Sequence, residues 1–339
     1  MSGRTRWGAR ASWAMLILLP LLVGWLSLGY GPSGWIMPDA SVLLGLRAPD
    51  TASGIVMLEL RLPRTLIAMM IGAVLGACGA ALQGLTRNPL AEPGTLGASS
   101  TAALGAVAAI YFGHAGSAGA GPAPAAAGLL GAGLGLGLVL ALGRGGGLSL
   151  ILAGVGVGAL ATAFISLALT FAPSPYATLE MIDWLIGSVA DRTLADAALL
   201  GPFAALSLVL LIGCGTGLDA LGLGERTARS MGVKLGRLRL QVVAATAIGV
   251  GAATAIAGGI GFVGLIVPHA LRPFVGHRPG RLVPASMLGG ATLLPLADLA
   301  GRLIGDGTEI RVGVATALIG APVFLHILLT RARAERGTW

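Results

Sequence analysis

Charged residues make up only 11% of the 339-residue chain, where a soluble domain is about a quarter charged. So few charges cannot cover the surface of a water-soluble fold. Lysine is nearly missing: Lys234 stands alone and follows Val233. Without a Gly-Lys-Ser/Thr sequence there is no Walker A loop to cradle a nucleotide phosphate. The run Gly143-Arg144-Gly145-Gly146-Gly147 is rich in glycine but lacks that lysine, and reads as a flexible turn. The two cysteines, Cys78 and Cys214, lie inside apolar runs with no CxxC or zinc spacing, as small packing residues do. His114, His269, His277 and His326 stand apart from one another, with no HExxH pattern and no cysteine partner. No catalytic, cofactor-binding or metal-ligating residue is assigned.

The rest of the composition is apolar: 55% of residues are hydrophobic and 56 are glycine. Glycine follows no three-residue period, and the hydrophobicity is too high for disorder. Glycine and alanine within long apolar runs suit closely packed transmembrane helices. Pairs spaced four apart supply candidate contacts: Gly72/Gly76, Gly131/Gly135, Gly133/Gly137 and Gly154/Gly158. A hydrocarbon core of about 30 Å needs roughly 20 apolar residues per helix. Ten runs qualify: 13–31, 62–84, 95–112, 124–143, 150–171, 198–215, 237–257, 260–275, 282–304 and 310–330, the eighth short and interrupted by Pro268. The first follows Arg4, Arg6 and Arg10 and reads as an uncleaved span, since no small-x-small cleavage site follows it.

The formal charge of +8 does not gather on one stripe, as a nucleic-acid surface would require; it falls in clusters between the runs. With the N-terminus placed inside, 16 of the 22 basic residues fall on the cytoplasmic side. Arg47, Arg61, Arg64, Arg192, Arg302 and Arg311 fall outside. Acids lean outward, among them Asp39, Asp50, Glu59, Glu180, Asp183, Asp191, Asp196, Asp306 and Glu309. The expected organisation is a cytoplasmic tail (1–12), one transmembrane domain (13–330) and a cytoplasmic tail (331–339). Asp298 is the one acid clearly inside a span, and its spacing to Arg302 suggests a local helical pair.

Three segments depart from plain apolar helix. Arg61-Leu62-Pro63-Arg64 opens the second span, with the proline in the first helical turn and both arginines on one face. It reads as an interfacial anchor or as a pocket for an acidic partner. The stretch from Gln83 to Gly97 carries Pro89 and Pro93, which stop a helix, and Gly94 and Gly97, which permit tight re-entry. It is a structural turn or a functional part. Between spans six and seven, residues 225–231 can form a short helix bounded by Gly224 and Gly232. That helix is a docking surface for a soluble protein, or part of a solvated loop.

These segments (RLPRT, QGLTRNPLAEPGTLG and LGERTARSMGV), with GFVGLIVPH and the closing TALIGAPVFLHILL, resemble the permeases of iron-siderophore and vitamin B12 ABC importers, the FecCD type. Order and spacing agree from about residue 59 onward. The resemblance implies a type II importer fold of ten helices, with spans 2–5 and 7–10 as an inverted repeat. It implies a homodimer or pseudo-dimer, a pair of cytoplasmic ATP-binding subunits and a periplasmic binding protein. In the family's vitamin B12 permease the matching arginines receive glutamates of the binding protein; here these are Arg61, Arg64 and Arg302. The matching cytoplasmic loop, 218–236 here, touches the ATPase through Gly224, Glu225, Arg229, Ser230 and Gly232. One departure stands out: where the B12 permease carries a Thr-Ser gate, this chain reads Gly147-Leu148. The gate does not carry over, and B12 is less favoured as ligand than the family alone would suggest.

The expectation is therefore the inner-membrane permease of a binding-protein-dependent importer, moving an iron-siderophore, haem or corrinoid-type ligand by alternating access. ATP hydrolysis is expected on a separate subunit. The rival is an ion-gradient-driven secondary carrier, for which Asp298 is the only candidate relay. A membrane enzyme would need a clustered nucleophile, base or metal ligand that the sequence does not supply.

Overall fold

The computed structural model describes residues 3–31, 34–43, 46, 51–115, 123–143, 147–304 and 309–336. Ten long or medium helices coincide with the ten apolar runs. They are α1 (Gly3–Gly29), α4 (Leu62–Thr86), α5 (Ala98–Ala115), α6 (Ala123–Leu142), α7 (Gly147–Thr170), α9 (Leu194–Gly213), α12 (Leu235–Ala257), α13 (Val263–Val275), α14 (Pro279–Ile304) and α15 (Val312–Arg336). Among the described residues, seven stretches are long and apolar enough to cross a membrane, and the apolar parts of α5, α13 and α15 are shorter. Helices α1 and α15 run past their apolar stretches into the arginine-bearing termini, since arginine is a good helix former.

Shorter elements connect these. After α1 come a two-residue antiparallel pairing, β1 (Tyr30–Gly31) with β2 (Gly34–Trp35), and α2 (Ala40–Leu43). Helix α3 (Ala52–Val56) passes through a wide turn, Met57–Arg61, into α4. There the Leu62 N–H reaches back to the carbonyl of Met57, five residues earlier. Amphipathic α8 (Pro175–Ile186) precedes α9 and is capped by Ser174. Helix α9 opens on a capping box between Thr193 and Asp196. Helices α10 (Gly215–Gly222) and α11 (Glu225–Ser230) lead to α12, so the supposed loop 218–236 is largely helical.

The core lies along α4 and α12. Of an 18-residue apolar stretch, 83% is buried in α4 and 78% in α12, against 22% in α6 and 28% in α9. The outer helices thus show apolar faces to their surroundings, which an aqueous surface would not tolerate and lipid or a second subunit would. Helix α4 packs antiparallel to α14, with Gly72 against Gly290 and Gly76 against Ser286. A Cβ at Gly72 would collide with the Gly290 carbonyl, so these two backbones touch only because both positions are glycine. Gly131 and Gly135 pack on Thr101, and Gly154 and Gly158 on Gly97. Gly133 and Gly137 meet nothing within 4 Å and face out of the bundle, so the four-residue spacing overcounted packing contacts. Cys78 and Cys214 are free, buried core residues.

The two halves follow one plan. A long buried helix (α4, α12) ends in an irregular segment (87–97, 258–262), and a shorter helix follows (α5, α13). Arg87 and Gly258, both at positive φ, cap the long helices. Asn88 accepts from the Leu90 N–H at 3.0 Å, and Pro93–Leu96 form a tight turn. The two segments meet: Glu92, Pro93 and Gly94 line a cavity of about 220 Å³ with Gly259, Phe262 and Gly264. Gly264 abuts Gly79, two thirds of the way along α4, so both breaks return into the body of the bundle. Gln83 donates to the Gly264 carbonyl at 3.2 Å and accepts from Arg272.

Candidate partner-binding sites at the two ends of the bundle

At the N-terminal end of α4 the wide turn and Pro63 aim Arg61 and Arg64 in different directions. Arg61 is buried and donates to the carbonyls of Leu28, Gly29 and Gly34. Those carbonyls end α1 and open β2, so the guanidinium serves as a C-cap that α1 cannot make for itself. Arg64 makes a forked contact with Asp298 of α14, Nε to Oδ2 at 2.9 Å and Nη2 to Oδ1 at 2.9 Å. Its Nη1 lies 2.8 Å from the Glu309 carboxylate.

Arg302 completes the cluster. Its Nη2 is 3.2 Å from Asp298 and 2.7 Å from Ser27 Oγ, and its Nη1 donates to the Ser27 and Tyr30 carbonyls. The helical pair expected between Asp298 and Arg302 forms, and Arg64 joins it from 234 residues away in sequence. Asp298 is therefore neutralised by two cations while only 2% exposed. The one acid that could have favoured an ion-driven carrier is thus built into a structural ion-pair cluster joining α4 and α14.

All three arginines anticipated at this end thus come together, along with groups that the sequence did not single out. Arg61, Arg64, Arg192, Arg302 and Glu309 line a cavity of about 690 Å³. A second cavity, about 330 Å³, adjoins Arg64, Asp183, Arg192, Glu309 and Arg311. Arg192 lines both, and its buried Nε has no hydrogen-bond partner. Burial lowers its pKa from the usual arginine value, against the opposing pull of Asp196 and Asp191. Arg311 pairs with Asp183 of α8. Glu309 and Arg192 could have been suspected only from their places in the loops facing Arg64, because neither lies in a recognisable motif.

At the opposite end, α11 forms between Gly224 (φ 109°) and Gly232 (φ 84°), where only glycine is unstrained. Ala228 is buried beneath it. Glu225 pairs with Arg239 of α12 at 2.8 Å and more loosely with Arg229 at 3.7 Å. Of the charged residues singled out here, Glu225 is thus tied to α12, while Arg229 is 67% exposed. Ser230 Oγ donates to the Thr227 carbonyl. Leu223 and Met231, large apolar residues flanking α11, are also exposed. Among the described residues, no cluster of three or more His, Cys, Asp or Glu could hold a metal ion.

The chain matches the model of the FecCD transport family over residues 17–330. It is 38% identical over 321 residues to the vitamin B12 import system permease protein BtuC of Salmonella paratyphi A, covering 94% of each chain. It is 38% identical over 284 residues to the ABC transporter permease protein YvrB of Bacillus subtilis, covering 83% of this chain and 80% of that one. A solved structure described as an inward-facing conformation of a metal-chelate type ABC transporter superposes with a TM-score of 0.85 at 32% identity, over 95% of this chain and 99% of that one. The chain belongs to the FecCD transport family, and it is the multi-pass permease subunit of an ABC importer, a transport component and not an enzyme.

Proposed function

We propose that this permease moves a large metal chelate or corrinoid, of the iron-siderophore, haem or vitamin B12 kind, across the inner membrane by alternating access. Two copies enclose the pathway, and both termini lie in the cytoplasm. A loaded binding protein docks at the arginine end built by Arg61, Arg64 and Arg302, with Arg64 the cation it reaches. A pair of ATP-binding subunits engages α11 at the other end, through the segment holding Gly224, Glu225, Arg229, Ser230 and Gly232. The observation that carries this reading is that both ends report to the same helices. Arg64 is bonded to α14, and α14 packs along α4. Glu225 is bonded to α12, and α12 also packs on α4. A shift imposed at either end can therefore bias one two-state arrangement of the core.

The sidedness rests on the basic-residue asymmetry, and the ligand class on what the relatives are described as carrying. The test is uptake in a strain lacking its own permeases, supplied with this chain and its cognate ATP-binding and solute-binding proteins. Labelled ferric siderophore, haem and cobalamin are offered in turn, and ATP-dependent accumulation of one of them is expected. Accumulation of none, with all components assembled, would overturn the ligand class.

A further inference from the structure

The cations at the arginine end already have partners within the chain, and those partners differ in how readily they can leave. Arg61 is spent on three backbone carbonyls and Arg302 on Ser27, Tyr30 and Asp298. Asp298 is 2% exposed and shared by two guanidiniums, so removing it would strand buried charge. Glu309 is different. Its side chain is 34% exposed, and its contact with Arg64 is through Nη1 alone. It lies on the approach to α15 and can turn into water at little cost. Arg64 itself lines both mouth cavities, and Glu309 stands beside it in each.

We propose, resting on the docking reading above, that an acidic side chain of the binding protein docks by carboxylate exchange at Arg64, displacing Glu309 from Nη1 while Asp298 stays in place. Glu309 is then a built-in competitor for the docking site. The exchange conserves the number of ion pairs, so it keeps Arg64 compensated in the undocked permease and makes docking reversible. An acid of the partner gains only the difference between its own pairing and that of Glu309. A partly exposed pair of this kind is worth little, so removing the competitor should tighten docking about two- to fivefold.

The test uses the permease in nanodiscs and its cognate solute-binding protein, titrated at low salt. Glu309→Gln and Glu309→Ala should each tighten docking about two- to fivefold. Asp191→Asn is the control. It removes the same unit charge from both cavities without touching Arg64, and asparagine tolerates the left-handed backbone that Asp191 adopts (φ 56°). It should leave docking near the parent value. Equal tightening by Asp191→Asn would assign the effect to the general field of the mouth and end the exchange proposal. Unchanged or weaker docking by both Glu309 variants, with Arg64→Glu still strongly impaired, would also overturn the exchange and leave the docking site standing. If Arg64→Glu binds like the parent, the docking site itself is wrong. Thermal melting of each variant in the nanodisc verifies that it is folded.

Discussion

Replacing Asp298 with asparagine keeps the size of the side chain and removes its charge. The carboxylate accepts from Nε of Arg64 at 2.9 Å and from Nη2 at 2.9 Å, and lies 3.2 Å from Nη2 of Arg302. Breaking a buried ion pair from one side costs about 3–5 kcal/mol, most of it the uncompensated charge left behind. Here the loss should fall near the lower end. The asparagine carbonyl still accepts one of these bonds, Arg64 keeps Glu309, and Arg302 keeps Ser27 and the Tyr30 carbonyl. An expected loss of about 3 kcal/mol is a large share of the roughly 5–15 kcal/mol by which folded proteins are typically stable. The assay is thermal unfolding of detergent-purified protein, read by size-exclusion recovery after heating, for Asp298→Asn and, as control, Glu59→Gln at an exposed position. The expected result is a midpoint lowered by several degrees for Asp298→Asn and unchanged for the control. Equal midpoints would mean that the two arginines are not electrostatically dependent on Asp298, and the account of the cluster as a neutralised unit would fail.

Three further outcomes follow from the geometry. Arg239→Gln should free α11 from α12 and lower transport several-fold in the assembled importer while ATP hydrolysis by the partner subunits continues, as measured in proteoliposomes; transport at the parent rate would mean that the Glu225–Arg239 pair carries no coupling. Gly72→Leu should prevent α4 from seating on α14 and leave no monodisperse protein, whereas Gly133→Leu, on an open face, should purify normally; recovery by gel filtration decides, and normal recovery of Gly72→Leu would contradict the close helix contact. Single cysteines at Ser53 and Pro175 should react with an impermeant maleimide added to intact cells, and cysteines at Arg229 and Arg333 only after lysis; labelling at Arg229 from outside would reverse the orientation.

The helices were legible because each is an apolar run bounded by charge or by Gly and Pro, and lipid-facing residues leave no ambiguity of period. What escaped were elements that depend on tertiary contacts. Helix α8 is only 12 residues long and amphipathic, and falls below the length that marks a span. The wide turn at Met57–Arg61 has no compositional signature. Arg61 and Arg64 could be picked out together as a motif, but their separate tasks, capping α1 and holding Asp298, depend on residues remote in sequence. The bond from Glu225 to Arg239 was hidden in the same way, because the two stand 14 positions apart across the 231–234 connection.

The meeting of the two irregular segments, 87–97 and 258–262, bears on how the chain is made. Backbone that is not helical cannot face hydrocarbon, because its amides would have no partners there. The N–H of Gly258 donates to the Thr254 carbonyl of α12, the Ala257 carbonyl accepts from the Ser188 N–H, and the Gly264 carbonyl accepts from Gln83 of the first half. During synthesis, α12 and α13 leave the ribosome after α4 and α5 are already in the bilayer. The second half therefore completes its broken span against a surface that the first half has prepared. Synthesised without residues 1–190, the same hairpin would enter the bilayer with polar backbone exposed, and would be a substrate for membrane quality control.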